Sequence, residues 1–318
     1  MTANPDQTSP SRTADPATAV GATAVEKAGG QPIPRHADRP LRRELGVANA
    51  FSHTFLLLWA AMTILPLAWM FVSSLKSNSE ILADPWGLPG ALRFDNWARA
   101  WTKAHIGQYF LNSAVVVAGS LTLTMLLGAA AAYVFARYEF RGRQVVYYLF
   151  VGGMMFPVFL ALVPLFFVVR NAGLFGTWTG LILVYAAYSL PFTIFFLTAF
   201  FRTLPTSVAE AALIDGCGHF RLFFRVMLPM ARPGLISVGI FNFLSHWNQF
   251  LLPQVLMQGD ESRWMLAQGL NALAVNQGYA GDYAQLFAGL AIAVLPVLVV
   301  YVTFQRQIQA GLTAGQLK

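Results

Sequence analysis

The sequence predicts an all-α integral membrane protein with six transmembrane helices, and three observations carry that prediction. The first is composition: 56% of the 318 residues are hydrophobic, 11% are charged, and the mean hydropathy is +0.54. Soluble domains carry about 25% charged residues, so this chain lacks the polar skin needed to face water on all sides. The second is a set of runs free of Asp, Glu, Lys and Arg, each close to the roughly 20 residues that cross a hydrocarbon core of about 30 Å. The third is an uneven placement of Lys and Arg between the connecting segments. Composition also argues against intrinsic disorder, a disulfide-stapled secreted module and an ordinary cytosolic enzyme. A single cysteine, Cys217, permits no internal disulfide.

In chain order, residues 1–48 are rich in Pro, Ala, Thr and Gly without apolar periodicity and read as a disordered cytoplasmic tail. A cleaved signal peptide is not expected, because its apolar stretch of about 7 to 15 residues would lie near the N-terminus, whereas the first run starts at Phe51. The runs cover residues 51–73, 113–136, 145–169, 177–201, 235–257 and 285–305, giving a membrane domain over 49–305 and a cytoplasmic tail over 306–318. Pro66, Pro157, Pro164, Pro191, Pro253 and Pro296 interrupt five of them, which a packed membrane bundle absorbs better than a soluble helix. The second run instead carries Gly119, Gly128 and the stretch from Ala129 to Ala132, small residues that let backbones approach.

Six spans put both termini on one side. Fifteen Lys and Arg fall in the two tails and in the segments after the second and fourth runs, against six in the other segments. Positive charge marks the cytoplasmic side, so both termini are expected there. The net charge of +7 and the pI near 9.8 then report topology, and a nucleic-acid partner loses its main support.

The runs contain no Asp or Glu. Ion-coupled carriers usually need buried carboxylates, and intramembrane enzymes need groups that titrate or attack. The one ionisable residue deep in a run is His246, within Ser245-His246-Trp247-Asn248-Gln249 near the middle of the fifth. A neutral imidazole hydrogen-bonded to a neighbouring helix takes precedence over a proton relay or a catalytic base. The sharper reading makes His246, Trp247, Asn248 and Gln249 a polar patch along a passage, where amides and a ring suit an uncharged polyhydroxy solute. An ion-coupled carrier and a membrane-embedded enzyme using His246 are the readings from other classes. No catalytic residue and no metal ligand is assigned.

The segment 202–234 is the most informative. Leu204-Pro205-Thr206 opens it, and Ser207 to Glu210 has the S-x-x-E spacing of a capping box. A short helix should follow and end at Gly216. Phe220, Phe223, Phe224 and Met227 then fall at i, i+3, i+4 and i+7, with Pro229 as the stop. Two amphipathic helices on the cytoplasmic side either lie in the headgroups or dock into a partner's groove.

Glu210-Ala211-Ala212, three residues, Gly216, nine residues and Val226-Met227-Leu228-Pro229 resemble the EAA loop of ABC importer permeases, with Val226 in place of Ile. Pro66 with Ser74-Leu75-Lys76, Phe94-Asp95-Asn96-Trp97, Phe110-Leu111-Asn112-Ser113, Trp247-Asn248-Gln249-Phe250 and the ending from Gly311 to Lys318 are similar to the smaller six-span subunit of the maltose-type carbohydrate importers. The resemblance runs from Phe51 to the C-terminus. Gln249 stands where an acidic residue is common, which puts any role of that charge in doubt.

The resemblance implies the type I ABC importer permease fold and a sugar substrate, such as N-acetylglucosamine, its disaccharide or an α-linked disaccharide, with glycerol-phosphate diesters as the alternative. It implies a second permease, favouring a heterodimer, two ATP-binding subunits and an extracytoplasmic solute-binding protein. ATP and Mg would sit on the ATP-binding subunits. None of the four lysines, Lys27, Lys76, Lys103 and Lys318, follows a glycine, so the chain has no phosphate-binding loop of its own. Ser207 to Asp215 would form the coupling helix, with Glu210 meeting basic groups and Ala211 and Ala212 permitting close approach. Gly216 would turn the chain, and Leu228-Pro229 would fix its return. Gly311, Leu312, Thr313 and Gly315 would reach the ATPase interface, and residues 78–110 and 258–283 would meet the binding protein.

Overall fold

The computed structural model describes residues 39–313, which divide into two units, one ending at Met62 and one beginning at Thr63. Among them every regular element is helical. Most of the expected N-terminal tail, along with Gly315, lies outside the described residues.

The first unit contributes the leading part of α1 (Arg39–Ser73), so helix starts ten residues before the expected domain boundary at 49. Its apolar side chains stand open, among them Phe55, Leu57, Trp59 and Met62. A helix apolar on every side suits lipid or another apolar chain.

The second unit holds the end of α1, α2 (Asn78–Ala83), α3 (Asp95–Thr102), α4 (Ile106–Arg137), α5 (Arg143–Gly153), α6 (Val158–Asn171), α7 (Trp178–Thr203), α8 (Thr206–Ile214), α9 (His219–Leu222), a π-helical turn (Phe223–Met227), α10 (Leu228–Met230), α11 (Arg232–Trp247), α12 (Leu251–Leu256), α13 (Leu266–Ala280) and α14 (Tyr283–Thr313). Among the described residues of the chain four helices are long and apolar enough to cross a membrane, α1 included, and the number rises to six if each of two bent helix pairs forms one span.

Its centre is the α4–α7 pair, where small residues set the spacing. A Cβ on Gly128 would stand 2.4 Å from Thr193, and one on Gly119 2.8 Å from Ile182. Three apolar clusters surround the pair. One joins α4 and α7 to the residues after Gly218, one joins α3, α4, α11, α13 and α14, and one joins α4, α6, α7 and α12.

Two expected spans are broken. Residues 145–169 form α5 and α6, which meet at 103°, because Gly152-Gly153 and the extended Pro157 (ψ 125°) give the helix nothing to propagate through. Residues 235–257 are not one helix either. The Asn248 side chain donates to the Leu244 carbonyl, α11 stops at Trp247, and α12 restarts at Leu251 with Pro253 in its first turn, where a missing N–H removes no bond. His246 therefore sits in the last turn of α11, not in mid-span. The expected loop 258–283 is largely α13, and α14 passes the expected end at 305 to reach Thr313.

The end of the bundle opposite residues 202–234 is closed by a polar network. Asn96, buried on α3, donates to the carbonyls of Ser74 and Lys76 at 2.8 and 2.9 Å. Arg99 donates to Asn96 and to Asp282, each at 2.6 Å. The Asn78 side chain donates to Asp282 and accepts from the Ala284 N–H. Lys76 is only 1% exposed, and its ammonium is satisfied by the carbonyls of Asp84 and Pro85.

Candidate functional site

Residues 202–234 build a helical hairpin at the end where α4 and α7 finish. Pro205 forces Leu204 into extended backbone (ψ 141°), which ends α7. The Arg137 guanidinium donates to the Leu204 carbonyl at 2.6 Å and ties this break to the end of α4. The turn into α8 is made at Pro205 itself, with no side-chain cap. Ser207 consequently lies inside the first turn and the expected capping box does not form. Glu210 keeps its carboxylate exposed, and no described residue pairs with it.

α8 closes on Gly216, whose φ of +79° suits the one residue without a Cβ. The Gly216 N–H reaches the Leu213 carbonyl at 3.0 Å and the Cys217 N–H reaches that of Ala212 at 2.9 Å, the paired bonds of a Schellman turn. After it, the buried side chains are Leu222, Phe223 and Met227, while Phe220 is 85% and Phe224 51% exposed. The simple i, i+3, i+4, i+7 face is corrected because the π turn at Phe223–Met227 widens the repeat and rotates Phe224 outward. Pro229 is no stop: it occupies the first turn of α10, and the 77° bend comes just after, before α11.

The buried face locks onto the bundle. Leu222, Phe223 and Met227 pack with Ala129, Ala132 and Tyr133 of α4 and with Leu197 and Phe201 of α7. The Tyr133 ring lies 5.0 Å from Phe223 and 5.6 Å from Phe201, and Tyr138 shares a 2.8 Å hydrogen bond with His219 Nδ1. Ala209 and Ala212 point at the same cluster, so α8 sits close to it. Glu210, Ala211, Asp215 and Pro229 are exposed, Leu228 is partly buried in the cluster, and Ile214 stands 87% open. The result is a rigidly backed surface with two exposed carboxylates, Glu210 and Asp215, among apolar side chains.

The residues 246–249 do not converge. His246 is buried between three helices, with Nδ1 2.9 Å from Ser120 Oγ on α4 and Nε2 2.7 Å from Ser189 Oγ on α7. Ser120 Oγ also lies 3.2 Å from the Val117 carbonyl. Both ring nitrogens therefore meet a serine hydroxyl, with the donor and acceptor roles following the tautomer. Trp247 turns the other way: its indole N–H donates to the Ala293 carbonyl of α14 at 3.1 Å, and its ring meets Phe110 and Phe243. Asn248 is exposed and Gln249 half-buried. Gly311, Leu312 and Thr313 are helical in backbone at the end of α14.

A family model described as a binding-protein-dependent transport system inner membrane component matches residues 124–313, which include the whole hairpin. The chain belongs to that family of ABC importer permeases. Among curated relatives, the permease is 55% identical to the diacetylchitobiose uptake system permease protein NgcG of Streptomyces coelicolor, over 85% of this chain and 89% of that one. It is 34% identical to the trehalose transport system permease protein SugB of Mycobacterium tuberculosis, over 80% and 92% of the two chains. The crystal structure of a bacterial ABC transporter involved in the import of the acidic polysaccharide alginate has the same fold, with a TM-score of 0.71 at 21% identity, covering 84% of this chain and 97% of that one. The permease is thus a translocation subunit in a membrane, and the ion-coupled carrier and membrane-enzyme readings are set aside.

Sequence reasoning missed a second polar rung in the permease. Asn242, one turn before His246 on α11, donates to Thr193 Oγ1 at 2.8 Å, and Thr193 in turn donates to the Ser189 carbonyl. Thr124, one turn after Ser120, is fully buried with no hydrogen-bond partner among the described residues. The signal was present as Ser and Thr spaced by four within apolar runs on α4 and α7, of which Ser120, Ser189 and Thr193 meet His246 or Asn242 on α11.

Proposed function

We propose that this permease translocates a sugar in an ATP-driven importer, as one of two different permease subunits working with two ATP-binding subunits and an extracytoplasmic solute-binding protein. The likeness to the NgcG permease favours N,N′-diacetylchitobiose as the substrate. Both termini and residues 202–234 face the cytoplasm, in keeping with the Lys and Arg distribution. The chain binds no cofactor of its own, and ATP with Mg sits on the ATP-binding subunits.

The observation that carries the reading is the outward surface of α8. Glu210 is unpaired there, Ala211 is small, and Ile214 and Phe220 are 87% and 85% exposed, all on a hairpin bolted to α4 and α7. Such a face stabilises nothing within the chain and suits the cleft of a soluble ATP-binding subunit, with Glu210 toward basic groups. Asp215 and Gly216 set the turn beside it, and Leu228 and Pro229 return the chain to α11. Closure of the two ATP-binding subunits would move both hairpins as rigid bodies and rock the spans between inward-facing and outward-facing states. Gly311, Leu312, Thr313 and Gly315 would follow α14 to the same interface. His246 and Trp247 then hold helices together, while Asn248 and Gln249 remain open to the pathway.

The test is purification of the tagged permease from its native membrane in mild detergent, comparing wild type with Glu210→Arg by mass spectrometry of the co-purifying proteins. An ATP-binding subunit with wild type and its loss in the variant is the expected result. Equal recovery from both would remove Glu210 from the interface, and no ATP-binding subunit with either would remove the coupling role of the hairpin.

A further inference from the structure

At the end opposite the hairpin lies a cavity of about 680 Å³ that the family assignment leaves without a role. Its walls come from the end of α3, the first turn of α4, the 3₁₀ turn at Glu261–Arg263, α13 and the start of α14. Under the proposed topology it opens outward, between the two segments that would meet the binding protein.

The cavity has a fixed floor and an unspent rim. Tyr109 is seated over Gly269, where a Cβ would stand 2.0 Å from the ring, and lies 6.3 Å from the Trp264 ring. Arg99 is held by Asp282 and Asn96, so one wall is a neutralised pair. The indole N–H of Trp264 is buried and has no acceptor among the described residues. Around the rim, Lys103, Glu261, Asn271 and Asn276 are exposed, and none makes a side-chain hydrogen bond with a described residue. His105, at the turn between α3 and α4, is held at φ +55°, a conformation a residue with a Cβ avoids unless its surroundings impose it.

These groups define a ligand class. The charges come as opposites, Lys103 with Glu261 and Arg99 with Asp282, so the cavity does not select a net charge. Two amides can each donate and accept, and the rings offer apolar edges beside them. Ring edges next to amides and balanced charges suit a neutral, oxygen-rich molecule with both hydroxyls and C–H faces. We propose that this cavity is a transit subsite for an uncharged saccharide, which catches the sugar as the binding protein lets it go and holds it at the mouth of the pathway. The inference rests on the sugar-importer reading and adds a site to it. Capture there lowers the fraction of released sugar that escapes to bulk while ATP is consumed.

The quantity to measure is N,N′-diacetylchitobiose imported per ATP hydrolysed, using the complete complex in proteoliposomes with its binding protein. Two changes serve: Asn271→Leu with Asn276→Leu, which strips exposed amides, and Ala272→Phe, which puts a ring into the cavity. Both are expected to lower the ratio at least threefold. If the rim only docks the binding protein, uptake and ATP hydrolysis fall in step, the ratio stays at the wild-type value, and the subsite is overturned. A wild-type ratio in both variants with normal rates overturns it equally. Failure of the wild-type complex to import the disaccharide would instead strike the sugar reading itself, and the subsite with it.

Discussion

The two ends of the bundle are fastened by different forces. At the hairpin end, residues far apart in the chain meet through apolar and aromatic side chains: Met227, Leu197 and Phe201 are fully buried, with Tyr133 beside them. At the opposite end the fastening is polar, through Asn96, Arg99, Asn78 and Asp282, with Lys76 buried on two carbonyls. The difference fits what each end must do. Apolar packing is non-directional and tolerates a hairpin pushed as a unit by a partner. A hydrogen-bonded clasp holds its groups at fixed distances and angles, which suits an end that has to shape a cavity.

The largest expected effect is at the apolar end. Met227→Ala removes a side chain with no exposed surface from the cluster that seats the hairpin, and buried Met→Ala changes cost about 2–5 kcal/mol. Thermal unfolding of the purified permease in detergent should fall by several degrees, while Phe220→Ala, 85% exposed, should leave the midpoint in place. Equal midpoints for the two variants would mean that the hairpin is not seated on this cluster.

The polar end should respond less. Asp282→Ala removes the 2.6 Å contact to Arg99, whose side chain is 33% exposed against 21% for Asp282. Hydrogen bonds to charged groups are worth about 1.5–3 kcal/mol, and this degree of exposure screens the pair toward the lower figure. A double-mutant cycle with Arg99→Ala should recover a coupling of about 1 kcal/mol from the unfolding midpoints. Additive single changes would show that the clasp is a set of independent contacts.

How much of this was readable from the sequence follows from the same division. The number and order of the spans rest on long runs without charge, and hydrocarbon thickness makes those unmistakable. The hairpin was legible because fixed spacing in a short segment brings Glu210, Gly216 and Pro229 into one motif, and Gly216 does turn the chain. Its details were not. A capping box at Ser207 competes with Pro205, whose effect on Leu204 moves the helix start, and a π turn inside a regular pattern leaves no periodic trace. The clasp was invisible for a stronger reason: Arg99 and Asp282 are 183 residues apart, and nothing local marks either one. His246 was singled out correctly as the ionisable residue in an apolar run, yet its partners Ser120 and Ser189 lie on other helices, where a serine among apolar residues attracts no notice.

The smallest effect sharpens the comparison at the polar end. Ser77 and Glu80 form the capping box of α2: the Glu80 carboxylate accepts from the Ser77 N–H at 2.7 Å, and its other oxygen accepts from the Gly90 N–H at 3.0 Å. The bonds to Ser77 and then to Gly90 hold the carboxyl below the usual glutamate range. A carboxyl whose folded-state value is depressed stabilises the fold above its unfolded value, and the contribution fades as pH falls through the folded one. Lowering the pH below the ordinary glutamate range should therefore reduce the protection of the Ser77 and Gly90 amides against hydrogen exchange, measured relative to the intrinsic rate at each pH, while the protection of the hairpin amides around Gly216 stays constant. Glu80→Gln, which keeps the shape and discards the charge, should show the reduced protection already at neutral pH, with no further change in protection as the pH falls. A pH response that survives in the variant would place the acid-sensitive group somewhere other than Glu80.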